Sequence, residues 1–125
     1  MTRNPVTSEK LATPVGPFSL AVRGGDALFI SGQVAQDPGS GALIDGDVSR
    51  QAEQVLRNLA AVLEAAGKDL GDVVRVGVYL TDMADFSAVN EVYRRHFEAP
   101  YPARTAIAVA ALPLGAVVEM DAIAV

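Results

Sequence analysis

The chain has 125 residues, half of them apolar, and a formal net charge of −5 at neutral pH. That length suits one domain, residues 1–125, with a core of its own. The acidic balance argues against sequence-independent nucleic-acid binding, which relies on lysine and arginine to neutralise phosphates. The absence of cysteine excludes disulfides, thiolate metal sites and a cysteine nucleophile.

The sequence also shows no pattern typical of a membrane span or of an export signal. The longest run without a charge, residues 105–118, contains a proline and is shorter than the about 20 residues that cross a bilayer. Residues 1–5 lack the apolar region of a signal peptide. We therefore expect a soluble, cytoplasmic protein that binds no membrane.

The first predicted elements are an irregular lead-in and a β-hairpin. Residues 1–17 are polar and rich in proline, which favours irregular structure. Phe18–Val22 and Ala27–Val34 are strand-like runs on either side of a glycine-containing turn, the pattern of a hairpin. The loop-forming residues Asp37–Gly41 follow.

A helix is predicted from Val48 onward. Its apolar residues recur every three or four positions, which places them on one helical face: Ala52, Val55, Leu56, Leu59, Val62, Leu63 and Ala66. Asp47 is a suitable N-cap, and Gly67 is suited to the position just past the C-terminal end.

A strand and a second helix are expected next. Alternate apolar residues from Val74 to Leu80 predict a strand with one buried face. Asp82 or Asp85 is a candidate cap for the following helix, and Pro100 and Pro102 prevent its continuation. The helix has aromatic and apolar residues at helical spacing: Phe86, Val89, Tyr93 and Phe97.

Two further strands, Arg104–Val109 and Ala116–Val125, are separated by a break at residues 112–115. Strand–helix–strand units favour right-handed crossovers, which place both helices on one face of a mixed sheet. The fold class is therefore α+β. The opposite sheet face has no helix to cover it, so we expect association into a homo-oligomer.

Several chemistries are excluded by the available side chains. The single histidine, His96, has no nucleophile at elbow spacing and is expected to be an ordinary helix residue. One histidine without cysteine does not supply a zinc site. Residues 39–44 have isoleucine where the third glycine of a dinucleotide fingerprint belongs. We predict no metal and no cofactor.

Two charges interrupt the most apolar third of the chain. Arg104 opens a strand, and Glu119 lies within another. Charges in covered strands are either paired or functional, and the sequence alone leaves a buried ion pair and a site equally open. As a site, the guanidinium would hold a carboxylate while the glutamate transfers protons.

Motifs along the whole chain resemble those of the RidA/YjgF family of enamine and imine deaminases. In order, they are Val15–Phe18, Phe29–Gln33, Glu64–Gly67, Val78–Asp82, Phe86–Asn90, Tyr101–Arg104 and Val118–Val125. The resemblance implies a chorismate-mutase-like fold, a homotrimer with sites between subunits, and cofactor-independent hydrolysis of 2-imino acids such as 2-iminopropanoate and 2-iminobutanoate.

The resemblance also implies roles for individual residues. Arg104 falls on the arginine that grips the substrate carboxylate, and Glu119 on the glutamate associated with the hydrolytic water. Backbone groups at Gly32 and Ala106 and the ring of Phe18 are expected to line the pocket. Asn90 and Ser31 also lie within the motifs and are candidates for substrate contact. The alternative role of Asn90 is to brace the second helix, and that of Ser31 is to make a hydrogen bond to the backbone.

Three other functions remain open. Phe18 replaces a tyrosine common in the family, Ala106 replaces a cysteine, and the segment before Arg104 is short. The first and last of these favour a larger enamine, such as an aminomuconate-type intermediate. A non-catalytic module that binds keto acids is a further alternative, and ribonuclease activity is disfavoured by the acidic charge.

Overall fold

A computed structural model describes residues 3–125. It contains one six-stranded sheet and two α-helices. The strands are β1 (Asn4–Val6), β2 (Ala21–Gly24), β3 (Ala27–Gln33), β4 (Val73–Leu80), β5 (Ala103–Ala108) and β6 (Val118–Ala124), and the helices are α1 (Val48–Ala65) and α2 (Phe86–His96). Within the described residues, no helix is long and apolar enough to cross a membrane.

The sheet is mixed, with the strand order β1-β2-β3-β6-β4-β5. β4 and β5 are parallel, and every other neighbouring pair is antiparallel. Since β3 and β4 both pair antiparallel with β6, they run in the same direction, and α1 connects them as a crossover. The α+β class is confirmed. The sequence did not indicate that the last strand inserts between β3 and β4.

The lead-in contains a strand, so the prediction of irregular structure over residues 1–17 was wrong in part. β1 pairs antiparallel with β2, with Val6 opposite Ala21. Val6 is buried and joins the core. A strand of three residues is too short to show the alternation of apolar and polar residues that predicts a strand. Proline is tolerated at position 5 because β1 is an edge strand. Residues 1 and 2 lie outside the described residues.

Both ends of α1 are as predicted. The Asp47 carboxylate accepts the backbone N–H of Arg50 at 3.0 Å, and Gly67 has a positive φ of 76°, which suits a glycine after a helix end. For α2, Asp82 accepts the N–H of Ala84 at 2.9 Å. It therefore caps a short 3-10 turn, Met83–Asp85, that leads into α2.

The core lies between the helices and one face of the sheet. α1 packs on α2, β3 and β6. Val76, Val78 and Leu80 of β4 and Val118 and Met120 of β6 are almost completely buried there. The opposite face is open in the single chain. It exposes large apolar side chains, including Phe29 and Ile107.

Candidate functional site

Arg104 lies on the helix-covered face of β5. It pairs with Val76, whose side chain is buried in the core. Its guanidinium carbon lies over the Tyr93 ring, 4.8 Å from the centroid, and over the Phe86 ring at 5.5 Å. A cation over an aromatic face is stabilised by the ring quadrupole.

Within residues 3–125, no carboxylate neutralises Arg104. Its guanidinium makes no ion pair and donates no hydrogen bond to these residues. It borders a cavity of about 170 Å³ between α2 and the start of β5, lined by Asn90, Tyr93, Arg94, Tyr101, Pro102 and Arg104. A partly buried, unpaired guanidinium beside a cavity is suited to hold an anionic ligand.

Glu119 lies on the open face of the sheet, opposite Tyr79 of β4. Burial raises the pKa of its carboxyl above the ordinary value, and the negative charge of Asp121 acts in the same direction. A carboxyl with a raised pKa takes up and releases protons more readily near neutral pH. Glu119 therefore has the properties of a general base or acid.

A bulge in β3 makes room for this carboxylate. The pairing of β3 with β6 shifts between Ile30 and Gln33, and a Cβ atom at Gly32 would clash with the Glu119 carboxylate. The absence of a side chain at Gly32 therefore permits the close approach of the Glu119 carboxylate.

Phe18 and Ser31 lie near the same bulge. The ring of Phe18 is about half exposed and lines a cleft together with Gly32. The Ser31 hydroxyl donates to the carbonyl of Ser19 at 2.7 Å, so the backbone hydrogen bond expected as its alternative role is present. We call Phe18, Ser31, Gly32 and Glu119 the glutamate cluster.

A second group comprises Asn90, Arg104 and Ala106, which we call the arginine cluster. Asn90 borders the same cavity as Arg104. Ala106 pairs with Val78 and packs against the core, on the sheet face that carries Arg104. The contact of the Arg104 guanidinium with the rings of Phe86 and Tyr93 was not predicted, although the two aromatic residues were placed on one helical face.

The two clusters are separated within one chain. Arg104 faces the helices from β5, whereas Glu119 faces the open side from β6, and β4 runs between the two strands. Neighbouring strands are about 4.8 Å apart, so about two strand spacings and the sheet itself separate them. The alternative of a buried Arg104–Glu119 ion pair is therefore wrong, and one chain alone does not bring the two groups together.

Sequence reasoning missed the polar neighbours of Glu119. The Asp121 carboxylate accepts the N–H of Gly77 at 3.1 Å and the hydroxyl of Tyr79 at 2.9 Å. A Cβ at Gly77 would clash with both side chains. The alternation along β6 puts Glu119 and Asp121 on one face, but the partners on β4 follow only from the strand order.

His96 belongs to neither cluster. Its Nε2 lies 2.6 Å from a carboxylate oxygen of Glu53 and joins the end of α2 to α1. This contact lowers the pKa of Glu53. Among the described residues, no three histidine, cysteine or acidic side chains come together in a group that could hold a metal ion.

The chain matches the family described as Endoribonuclease L-PSP over residues 8–125. A mouse protein named 2-iminobutanoate/2-iminopropanoate deaminase is 47% identical, covering 98% of this chain and 91% of the relative.

Two solved structures are similar over nearly their whole lengths. A putative endoribonuclease from Thermotoga maritima has a TM-score of 0.94 and 46% identity, covering 98% of this chain and 96% of the other. RidA from an Antarctic Psychrobacter has a TM-score of 0.93 and 46% identity, covering 98% of both chains.

Proposed function

The chain belongs to the RidA/YjgF/RutC family, and we propose that it hydrolyses small 2-imino acids to 2-keto acids and ammonia. The observation that carries the proposal is the unpaired guanidinium of Arg104 beside a cavity. The name of the mouse relative supplies the substrate class, namely 2-iminobutanoate and 2-iminopropanoate. Each has a carboxylate next to the C=N bond.

We propose that the active site forms between copies of the chain in a homotrimer. Arg104 lies on β5, an edge strand, where a second copy has access to it. Glu119 lies on the open sheet face, which is partly apolar and needs cover. Joining the arginine cluster of one copy to the glutamate cluster of the next completes a site that neither copy contains alone.

Arg104 binds the substrate in this mechanism. Its guanidinium donates two parallel hydrogen bonds to the carboxylate and so fixes the imine carbon beside a water molecule. Positioning of this kind replaces a bimolecular encounter with a preassembled one. Asn90 and the backbone of Ala106 complete the arginine side of the pocket.

Glu119 of the neighbouring copy handles the protons. As a carboxylate it accepts a proton from water while the water oxygen bonds to the imine carbon, and it passes that proton to the imine nitrogen, which becomes the amine of a carbinolamine. Glu119 then accepts the hydroxyl proton as the C=O bond forms and donates it to the nitrogen as the C–N bond breaks, which releases ammonia and restores the carboxylate. Such acid–base help contributes about 10²–10⁴-fold.

Keto-acid release from enzymatically generated 2-iminopropanoate tests the proposal. We expect Arg104→Ala to lower kcat/KM by about 100-fold, since hydrogen bonds to a charged group contribute about 1.5–3 kcal/mol. Arg57→Ala is the matched control, because that arginine is exposed on α1. No acceleration by the wild type over buffer, or full activity in Arg104→Ala, would contradict the proposal.

A larger enamine is a second candidate, favoured by one feature. Beside Phe18 lies a mostly apolar cavity of about 340 Å³ formed by residues 5–20, bordered by Val6, Pro14 and Leu20. A substrate with a longer chain would extend into it from the glutamate cluster. Higher kcat/KM for long-chain than for short-chain imino acids would favour this candidate.

The family description names ribonuclease activity, and we expect the purified protein to show none. The net charge of −5 opposes binding of a phosphate backbone. RNA cleavage that persists in purified Arg104→Ala and Glu119→Gln variants would establish a separate activity.

A further inference from the structure

We infer that Phe86 and Tyr93 form an aromatic seat that positions the Arg104 guanidinium for carboxylate binding. The inference rests on the proposed function, because it assigns two positioning residues to the same site. Each ring acts through Arg104, and Tyr93, unlike Phe86, also borders the cavity beside the guanidinium.

The seat is built by helical spacing. Phe86, Asn90 and Tyr93 follow one another at four and three positions along α2, so they share one helical face. That face lies over β5 at Arg104, with the guanidinium carbon 5.5 Å from the Phe86 centroid and 4.8 Å from the Tyr93 centroid. Asn90, between the two rings in sequence, borders the cavity.

Tyr93 is held rigidly in place. The residue is 4% exposed, and its ring packs on that of Phe97 with the centroids 4.5 Å apart. A buried, braced ring provides a fixed surface for the guanidinium. Phe86 is partly exposed at the start of the helix and borders the same guanidinium.

Ring faces leave Arg104 available to a ligand. A carboxylate partner would neutralise the guanidinium and occupy its N–H groups, which lie in the plane of the group. An aromatic ring attracts the guanidinium through its quadrupole and has no lone-pair acceptor, so the two rings do not take up its N–H donors. The seat therefore orders a long side chain without competing with the substrate for its hydrogen bonds.

The ring of Tyr93, and not its hydroxyl, is the part that acts. The hydroxyl is buried and has no hydrogen-bond partner among the protein atoms of residues 3–125. Tyr93→Phe therefore keeps the seat, whereas Tyr93→Leu removes one ring. The two variants separate the ring from the hydroxyl at a single position.

The test compares four variants with the wild type: Tyr93→Phe, Tyr93→Leu, Phe86→Leu and Val92→Ala. Val92 is a buried residue of α2 that is not part of the seat, so it controls for loss of core packing. We expect Tyr93→Leu and Phe86→Leu to raise KM for 2-iminopropanoate, and the dissociation constant of unreactive 2-ketobutyrate, by between about twofold and 30-fold. Tyr93→Phe and Val92→Ala should stay within about twofold, and kcat should change less than KM.

A spectroscopic readout tests the seat independently of activity. The Nε–H resonance of Arg104, identified by its loss in Arg104→Lys, should carry a ring-current shift in the wild type and in Tyr93→Phe. That shift should decrease in Tyr93→Leu and in Phe86→Leu. Thermal unfolding of each variant identifies any that fail to fold, and Phe86→Leu still tests the inference if Tyr93→Leu does.

The outcomes separate the seat from the activity. Wild-type hydrolysis with unchanged KM and an unchanged Arg104 resonance in both leucine variants would overturn the seat alone. An equal rise in KM in Val92→Ala would also overturn it, because general packing would then explain the effect. If the wild type failed to hydrolyse the imine, the proposed function would fall, while the resonance shift and the 2-ketobutyrate affinity would still decide the seat.

Discussion

At the scale of single residues, the chemistry of Glu119 depends on two neighbours. Gly32 provides the space for its carboxylate, and Asp121 adds negative charge beside it. Asp121 is itself fixed by Gly77 and Tyr79 of β4. Burial and this fixed charge both favour the protonated form of Glu119, and both are set by the sheet.

Replacing Asp121 should change the pH dependence of activity. In the proposed mechanism, Glu119 accepts a proton from water only as a carboxylate, so activity should fall as pH drops through its pKa. Because Asp121 helps to raise that pKa, Asp121→Asn should move the acidic limb of log kcat/KM to lower pH. The limb should stay above the ordinary glutamate range of about 4.3, since burial remains. Asp45→Asn, at an exposed position, is the control, and coincident limbs would contradict the account.

Adding one methyl group at Gly32 should displace Glu119. Gly32→Ala is expected to reduce kcat about as strongly as Glu119→Gln, within the range of about 10²–10⁴-fold for a lost acid–base group. In the Glu119→Gln background, the same substitution should have little further effect, since both changes remove one function. Fully additive losses would show that Gly32 acts by another route.

At the scale of elements, α1 holds the segment that follows the β3 bulge. Asn58 is 2% exposed, and its amide donates to the carbonyls of Val34 at 3.2 Å and Gln36 at 3.1 Å. Gln54 donates to its amide oxygen at 2.8 Å. One buried side chain thus joins the helix to the chain just beyond Gly32.

Asn58→Ala should destabilise the fold by about 2 kcal/mol, because the Gln36 carbonyl loses its partner, the Val34 carbonyl keeps only the N–H of Gln36, and an unsatisfied buried polar group costs about 1–3 kcal/mol. Chemical denaturation measures this difference. The neighbouring Arg57→Ala, at an exposed position, should change stability by less than about 0.5 kcal/mol. Equal effects at the two positions would contradict the role of Asn58.

The helices and strands differ in how well the sequence alone predicts them. The periodicity and caps of α1 depend on local spacing, and the helix was predicted to within one residue of its observed end at Ala65. The face on which Arg104 lies depends on its pairing with β4, and the face of Glu119 depends on the insertion of β6. Those contacts join residues far apart in the chain and leave no local pattern, so the separation of the two charges was not predicted.

At the scale of the whole molecule, the open sheet face is the surface that the proposed trimer would bury. Phe29 and Ile107 are each nearly half exposed there, and such apolar surface commonly marks an interface. A cyclic trimer would repeat one arginine-to-glutamate junction at each of its interfaces. Light scattering should then give about 39 kDa for three chains of 13.0 kDa.

The most direct test is subunit complementation between Arg104→Ala and Glu119→Gln. The two inactive variants are unfolded together, refolded at equal amounts and assayed for imine hydrolysis. In a mixed trimer, one junction joins an intact Arg104 to an intact Glu119 of the next copy, so random assembly should restore about a quarter of wild-type activity. A mixture that assembles into trimers and remains as inactive as its parents would show that the two residues do not share a site across copies.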